Sequence, residues 1–258
     1  MPRIHPTAVV ERGAKLADDV EVGACAYVGP DVELAAGVSL RPHAHVTGRT
    51  TIGERSRVFP FAVLGEEPQD RSFSGESTTL VIGRDTTIRE HAVLHVGTRK
   101  GGGCTRIGDD VLVMNGVHVG HDSQIGDHVI IASLCAVAGH VRIEDYAAVG
   151  GLTGIHQFAR IGESAMVAAT SAVSQDVPPF ALAAGDRARL SGLNVVGMRR
   201  RGFGAETRAH IKRAYHLVFH SKLRFPVAVE RVRAEIQGCP EVDRLLAFLE
   251  ASQRGFVR

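Results

Sequence analysis

Aliphatic residues recur at every sixth position from Ile4 through Val10, Leu16, Val22, Val28, Leu34, Leu40, Val46, Ile52 and Val58 to Leu64. Four residues after each stands a small or β-branched one, as at Ala8, Ala14, Val20, Ala26 and Ala62. The series resumes at Ile82, Ile88 and Leu94, slips by one residue, and then runs from Ile107 to Val173. A period of six fits neither a helical face nor an alternating strand. It fits a stacked β-solenoid built of hexapeptide repeats, each giving one short strand and one polar turn. Three hexads close a triangular coil, so residue i is predicted to lie on i+18 at the spacing of neighbouring strands, about 4.8 Å. The ladder of Ile, Val and Leu fills the prism, and neighbouring coils satisfy each other's backbone groups.

Two stretches break the rhythm. Residues 65–81 keep the count and lose the pattern, and residues 98–106, with three consecutive glycines, cause the slip. Both read as loops extruded from coils, and loops on a rigid scaffold often carry function. The repeat is expected to stop at Pro178-Pro179, since two prolines cannot continue a paired strand. This gives a β-helical domain over 1–179, a linker over 180–193 and a helical domain over 194–258. In the last, Ile211, Ala214, Leu217 and Val218 recur at helical spacing. Val227 to Ile236 is a second amphipathic stretch, and Pro240 opens a third carrying Val242, Leu245, Leu246 and Leu249. The helices are placed to cap a solenoid end.

Composition narrows the function. With a net charge of +2, the chain lacks the global field expected of a nucleic-acid binder. No run approaches eighteen apolar residues, and the repeat begins almost at the first residue, so neither a membrane span nor a signal peptide is expected. The four cysteines form no CxxC pair, which reads as reduced thiols in a cytoplasmic protein.

Thirteen histidines are the candidate chemistry. Steps of eighteen from His121 lead to Gly139, beside His140, and to Gln157, beside His156. These residues are predicted to form one vertical cluster, with His118 close by on the same coil. Imidazole suits acid–base work near neutrality. Asp122, next to His121, suits a carboxylate that holds and polarises a base. Imidazole also binds zinc, but no three histidines show the spread of a site shared across a trimer, and no metal is expected.

The segments GEEPQD (65–70), NGVHVGHD (115–122), AGH (138–140), GIHQF (154–158), SQDVPPF (174–180) and GLNVVGMRRRGF (192–203) resemble the acyl-ACP:UDP-N-acetylglucosamine O-acyltransferases of lipid A biosynthesis. The match spans essentially the whole chain. A related N-acyltransferase of the same pathway carries an additional N-terminal uridine-binding domain, and here the repeat begins directly. The resemblance implies a left-handed coil, against the right-handed rule for most parallel crossovers. It also implies a cytoplasmic homotrimer with sites in the clefts between solenoids. The reaction would move a 3-hydroxyacyl chain from the phosphopantetheine of acyl carrier protein to the glucosamine 3-hydroxyl of UDP-N-acetylglucosamine, with no further cofactor.

By the same resemblance, His121 is the general base, Asp122 its orienting partner, and Gly139 N–H the oxyanion donor. Gln69, Asp70, His118, His140, His156 and Gln157 contact sugar or acyl chain. Asn194, Arg200 and Arg201 hold the nucleotide. Charge complementarity separately suggests that Arg160 and these arginines dock the acidic carrier protein. Ala169, with Met166 nearby, closes the acyl groove. Ser72 stands where the family usually has a basic residue, Val196 where relatives can carry glutamate, and Arg187 where some have histidine. These departures leave open a 3-amino sugar. An acyl-CoA-dependent enzyme and a non-catalytic scaffold are the other readings, the last opposed by the His121–Asp122 pair.

Overall fold

A computed structural model describes all 258 residues. Three sheets of eleven, nine and eight strands form the walls of a left-handed parallel β-helix. They are called the first, second and third sheets in the order in which the chain meets them. The predicted register holds: Arg3 pairs with Glu21, His118 with Ala136, and Ala136 with Gly154. The sixfold aliphatic series lines the interior, with Val28, Ile52, Leu94, Ile131 and Ile161 all fully buried. The small residues four places on, such as Val20, Ala62 and Ala165, are buried beside them.

The corners between sheets force residues into the left-handed region. The corner from the first to the second sheet holds His43, Phe61, His91, Leu134, Leu152 and Thr170 at φ near +60°. The second corner, leading to the third sheet, holds Asp122, His140 and Phe158. The third, returning to the first sheet, holds Arg55, Asp85, Asp110, His128, Tyr146, Ser164 and Phe180. Such backbone disfavours β-branched side chains, and only Thr170 among these residues is branched.

The interruptions have a common place. One strand ends at Glu66 on the second sheet and the next begins at Thr79 on the third. One coil later, a strand ends at His95 on the second sheet and the next begins at Cys104 on the third. Both loops therefore leave from the second corner, on the two coils directly before His121. Their extra length shows in the pairing of Arg57 with Thr87 and of Thr87 with Leu112, each beyond the usual eighteen.

The solenoid does not stop at Pro179. Val177 bridges Ile161 on the third sheet, Pro178 to Phe180 turn the third corner, and Ala181–Ala184 pairs parallel with Met166 and Val167. The prolines fall in a turn, where no ladder N–H is needed. Residues 180–193 are thus not a linker. Ala181–Ala184 and Arg189–Leu193 form an antiparallel hairpin that extends the first sheet.

Four helices follow: α1 (Val195–Arg200), α2 (Ala205–Tyr215, continued by a π-helical turn, His216–His220), α3 (Phe225–Glu235) and α4 (Pro240–Glu250). Apart from Val227, which is 48% exposed, the apolar residues read from the sequence are buried, including Ile211, Ala214, Val242, Leu245 and Leu249. They close the C-terminal end of the prism. Tyr215 hydroxyl donates to Pro179 O, Phe203 meets buried Phe180 edge-on, and Val257 N–H donates to Asp176 O. The N-terminal end has no such cover, and Ile4 is 43% exposed. No helix is long and apolar enough to cross a membrane.

Candidate active site

The second corner gathers most of the predicted residues. Stacking at eighteen-residue spacing puts His121, Gly139 and Gln157 in one column and Asp122, His140 and Phe158 in the next. His140 N–H donates to His121 O and Phe158 N–H to Gly139 O, tying the rungs together. The His140 ring lies edge-on to His121 at 4.9 Å and flat on Phe158 at 4.4 Å.

His121 Nδ1 lies 2.8 Å from Asp122 Oδ2. The carboxylate is fully buried, and the imidazole is 18% exposed. Thr98 N–H donates to both carboxylate oxygens, at 2.9 and 3.0 Å, and Thr98 Oγ1 donates to Oδ2 at 2.7 Å. Asp122 N–H in turn donates to Thr105 Oγ1. A carboxylate so held accepts the His121 Nδ1 proton, which leaves Nε2 bare as a base. The cradle comes from the glycine-rich loop. A side chain at Gly101 would lie 2.0 Å from the Asp122 carboxylate carbon, so the loop can close over Asp122 only with glycine there.

Gly139 has a similar reason to be glycine. A Cβ there would stand 2.7 Å from His121 Nε2. The backbone therefore passes directly beside the basic nitrogen, and its N–H makes no hydrogen bond within the chain. His121, Asp122 and His140 also place three ligand atoms within 4.8 Å of one another. Both Asp122 oxygens are already taken by Thr98 and His121, which favours an oriented base over a metal cradle.

His118 projects from the second sheet beside this corner. Burial holds its pKa below the usual imidazole value, helped by neighbouring His95 and His121. Burial likewise lowers His140, against the opposing pull of Asp122. Both rings are thus biased toward the neutral form that accepts or donates a single hydrogen bond. His156 is exposed, with Nδ1 on Gln157 O.

Asp70 reaches the site on the first loop. Hydrogen bonds from Ser72 hold its carboxyl below the usual range, with smaller contributions from His121 and Lys100. Ser72 thus caps Asp70 through its N–H at 2.8 Å. Below His118, Ala136, Gly154 and Ala172 form a smooth floor along the second sheet. They line an open groove of about 690 Å³ that also includes His156, Arg187 and Arg254.

Other predicted residues lie elsewhere in the chain. Asn194 caps α1, with Oδ1 accepting from Gly197 N–H and Nδ2 donating to Ser164 O. Arg201 bonds Glu163 and Ser164 Oγ and stacks 3.8 Å over Tyr146. Both sit at the third corner, away from His121, and within one chain Arg201 is a clamp rather than a free phosphate ligand. Arg200 is exposed. Arg160 is held by Asp176 and Phe248 O and covers the Phe248 ring, so it is not available to dock a carrier protein. Ala169 stands in the first corner and Met166 on the first sheet, and neither lines the groove of the same chain. Sequence reasoning missed Thr98, Thr105 and Gly101, whose contacts with Asp122 run through the irregular loop.

A family model described as UDP N-acetylglucosamine O-acyltransferase, domain 2, matches residues 176–257, and one for the bacterial transferase hexapeptide (six repeats) matches 104–139. The chain is 46% identical to an acyl-[acyl-carrier-protein]–UDP-N-acetylglucosamine O-acyltransferase of Myxococcus xanthus, over 100% of both chains. It is 45% identical to the protein of that name from Syntrophobacter fumaroxidans, over 99% of this chain and 100% of the other. The solved UDP-N-acetylglucosamine O-acyltransferase (LpxA) of Moraxella catarrhalis superposes with a TM-score of 0.96 at 37% identity, covering 99% of each chain.

Proposed function

Because the chain belongs to the acyl-[acyl-carrier-protein]–UDP-N-acetylglucosamine O-acyltransferase family, we propose that it transfers a 3-hydroxyacyl chain from acyl carrier protein to the glucosamine 3-hydroxyl of UDP-N-acetylglucosamine, the first step of lipid A biosynthesis. The observation that carries this reading is the buried Asp122 on His121 Nδ1, with Gly139 packed against the opposite nitrogen.

A sugar hydroxyl is a poor nucleophile at neutral pH, so the transfer needs a positioned base. His121 Nε2 takes the hydroxyl proton as the oxygen attacks the thioester carbonyl. Asp122 stabilises the resulting imidazolium. Gly139 N–H meets the oxyanion, and such donors are worth most where water is excluded. Collapse breaks the C–S bond, and His121 returns its proton to the departing phosphopantetheine thiolate. The thioester supplies the activation, and no other cofactor enters.

Gln69, Asp70, His118, His140, His156 and Gln157 surround the sugar and the start of the acyl chain. The small-residue floor of Ala136, Gly154 and Ala172 receives the chain. Asn194 and Arg200 at α1, Ala169 at the first corner and Met166 on the first sheet all lie apart from the second corner, which supports a homotrimer in which a neighbouring copy completes each site. Four unpaired cysteines fit a cytoplasmic enzyme.

The test is transfer to UDP-N-acetylglucosamine from 3-hydroxyacyl carrier-protein thioesters of graded length. Ala169 leaves a fairly deep groove, and each buried methylene adds only about 0.8 kcal/mol, so a preference for roughly ten to fourteen carbons is expected. A clear preference for acetyl donors, for acyl-CoA, or for the 3-amino sugar would overturn the assignment.

A further inference from the structure

Of the polar side-chain atoms buried in the molecule, one lacks a hydrogen-bond partner: Nε2 of His95. His95 is 4% exposed, ends its strand on the second sheet, and lies 5.2 Å from the His118 ring. Its other nitrogen is committed, with Nδ1 2.7 Å from the backbone carbonyl of Glu67. A carbonyl only accepts, so the proton is on Nδ1 and the bare nitrogen is Nε2. An apolar side chain would fill this place without burying an unpaired acceptor. The imidazole therefore needs a reason, and its bond to Glu67 supplies one.

Glu67 begins the loop that carries Gln69 and Asp70. The loop is launched by a bulge at Gly65, at φ 86°, where a side chain would collide with Thr47 O and Thr50 Oγ1. Backbone leaving a strand this sharply has few ladder bonds to fix its direction. Val96 N–H on Glu66 O and His95 Nδ1–H on Glu67 O tie the residues just beyond the bulge to the next coil.

We propose that His95 is a positioning residue, whose Nδ1–H donates to Glu67 O and so holds the Gln69–Asp70 loop over the His121 corner for the sugar substrate. The substrate part of this inference rests on the acyl-transfer reading, and the loop part does not.

Asparagine reproduces the Nδ1 donor of histidine, and glutamine the position of Nε2. The full-length chain is therefore compared with His95→Asn, His95→Gln and His95→Leu, with thermal melting to verify folding. Trypsin cleavage after exposed Arg71 reports loop anchoring without any assay of activity. Cleavage should accelerate about five- to tenfold in the Gln and Leu variants and stay close to the parent in the Asn variant. In transfer assays the same two variants should raise KM for the sugar nucleotide by a similar factor, with kcat little changed, while Asn restores it. Rescue by Gln and not by Asn would overturn the proposal and assign the function to Nε2. Three parent-like variants, or three equally impaired ones, would also overturn it. If the parent fails to acylate UDP-N-acetylglucosamine, the acyl-transfer reading fails, and the proteolysis still decides whether His95 anchors the loop.

Discussion

Two corners of the prism carry nearly the same pair of side chains. At the second, His121 Nδ1 sits 2.8 Å from Asp122 Oδ2; at the third, His128 Nδ1 sits 2.9 Å from Asp110 Oδ2. Each corner also has a histidine stacked on an aromatic ring at 4.4 Å, His140 on Phe158 and His128 on Tyr146. The difference is in the surroundings. His121 and Asp122 are 18% and 0% exposed, whereas His128 and Asp110 are 40% and 67% exposed. An exposed pair gains little, because water screens the charges and the side chains remain free. The buried pair is fixed by Thr98, by the glycine loop and by Gly139. An imidazole beside a carboxylate is a common product of stacked turns. A roof over the carboxylate and open backbone beside the other nitrogen make it an oriented base.

The largest test of this contrast removes each imidazole in turn. His121→Ala should lower kcat for acyl transfer by about 10²–10⁴-fold, the range of a lost general base. His128→Ala should leave transfer unchanged. Both variants should remain folded: exposed His128 should cost within about 0.5 kcal/mol, and loss of the His121 donor should cost about 1–3 kcal/mol while Thr98 still satisfies the buried Asp122 carboxylate. Comparable losses at the two corners, measured in the same thioester assay, would erase the distinction.

An equal or smaller effect separates the two carboxylates. In Asp122→Asn the amide can donate where the carboxylate accepted, favouring the tautomer whose proton lies on the catalytic nitrogen. A fall in kcat of up to about 10⁴-fold is expected, no larger than for His121→Ala because the ring remains. The variant should also lose about 1–3 kcal/mol of stability in urea unfolding, since the Thr98 donors lose part of their acceptor. Asp110→Asn should change neither quantity. A fully active Asp122→Asn protein would mean that the buried carboxylate serves packing alone.

The contrast also marks what the chain discloses before it folds. A strict six-residue beat fixes the coil and the register, so the His121, Gly139 and Gln157 column could be found by counting. The roof could not. Thr98 reaches Asp122 across 24 residues and Thr105 across 17, offsets set by loop geometry rather than by the repeat. That both loops leave from the catalytic corner was within reach of the same counting, yet an insertion that preserves the hexad phase, as residues 65–81 do, conceals its own corner. Pro178-Pro179 misled in another way: prolines end a strand, but they suit a turn between sheets. Arg160 and Arg201 looked free because nothing in local sequence shows that α4 and Glu163 come to meet them. His95, one residue beyond the Leu94 core position, is buried by a loop that the pattern leaves undescribed.

The faintest expected difference lies in how the second corner treats protons. Burial lowers the pKa of His118 and His140 from the usual value of 6.5. In the unfolded chain both recover that value. Below about pH 6.5 the unfolded state therefore binds protons that the native state refuses, and stability falls as pH falls until the native groups also titrate. Above pH 7 the two states bind equally and the contribution is flat. Both rings are partly exposed, so the loss should stay under about 1 kcal/mol. Urea midpoints at pH 7.5 and pH 5.5 measure it, and a His118→Gln, His140→Gln double variant should lose less stability over that interval than the parent. An undiminished loss in the double variant would place the acid sensitivity outside this corner, and with it the claim that the same burial that orients the base also keeps its two neighbours neutral.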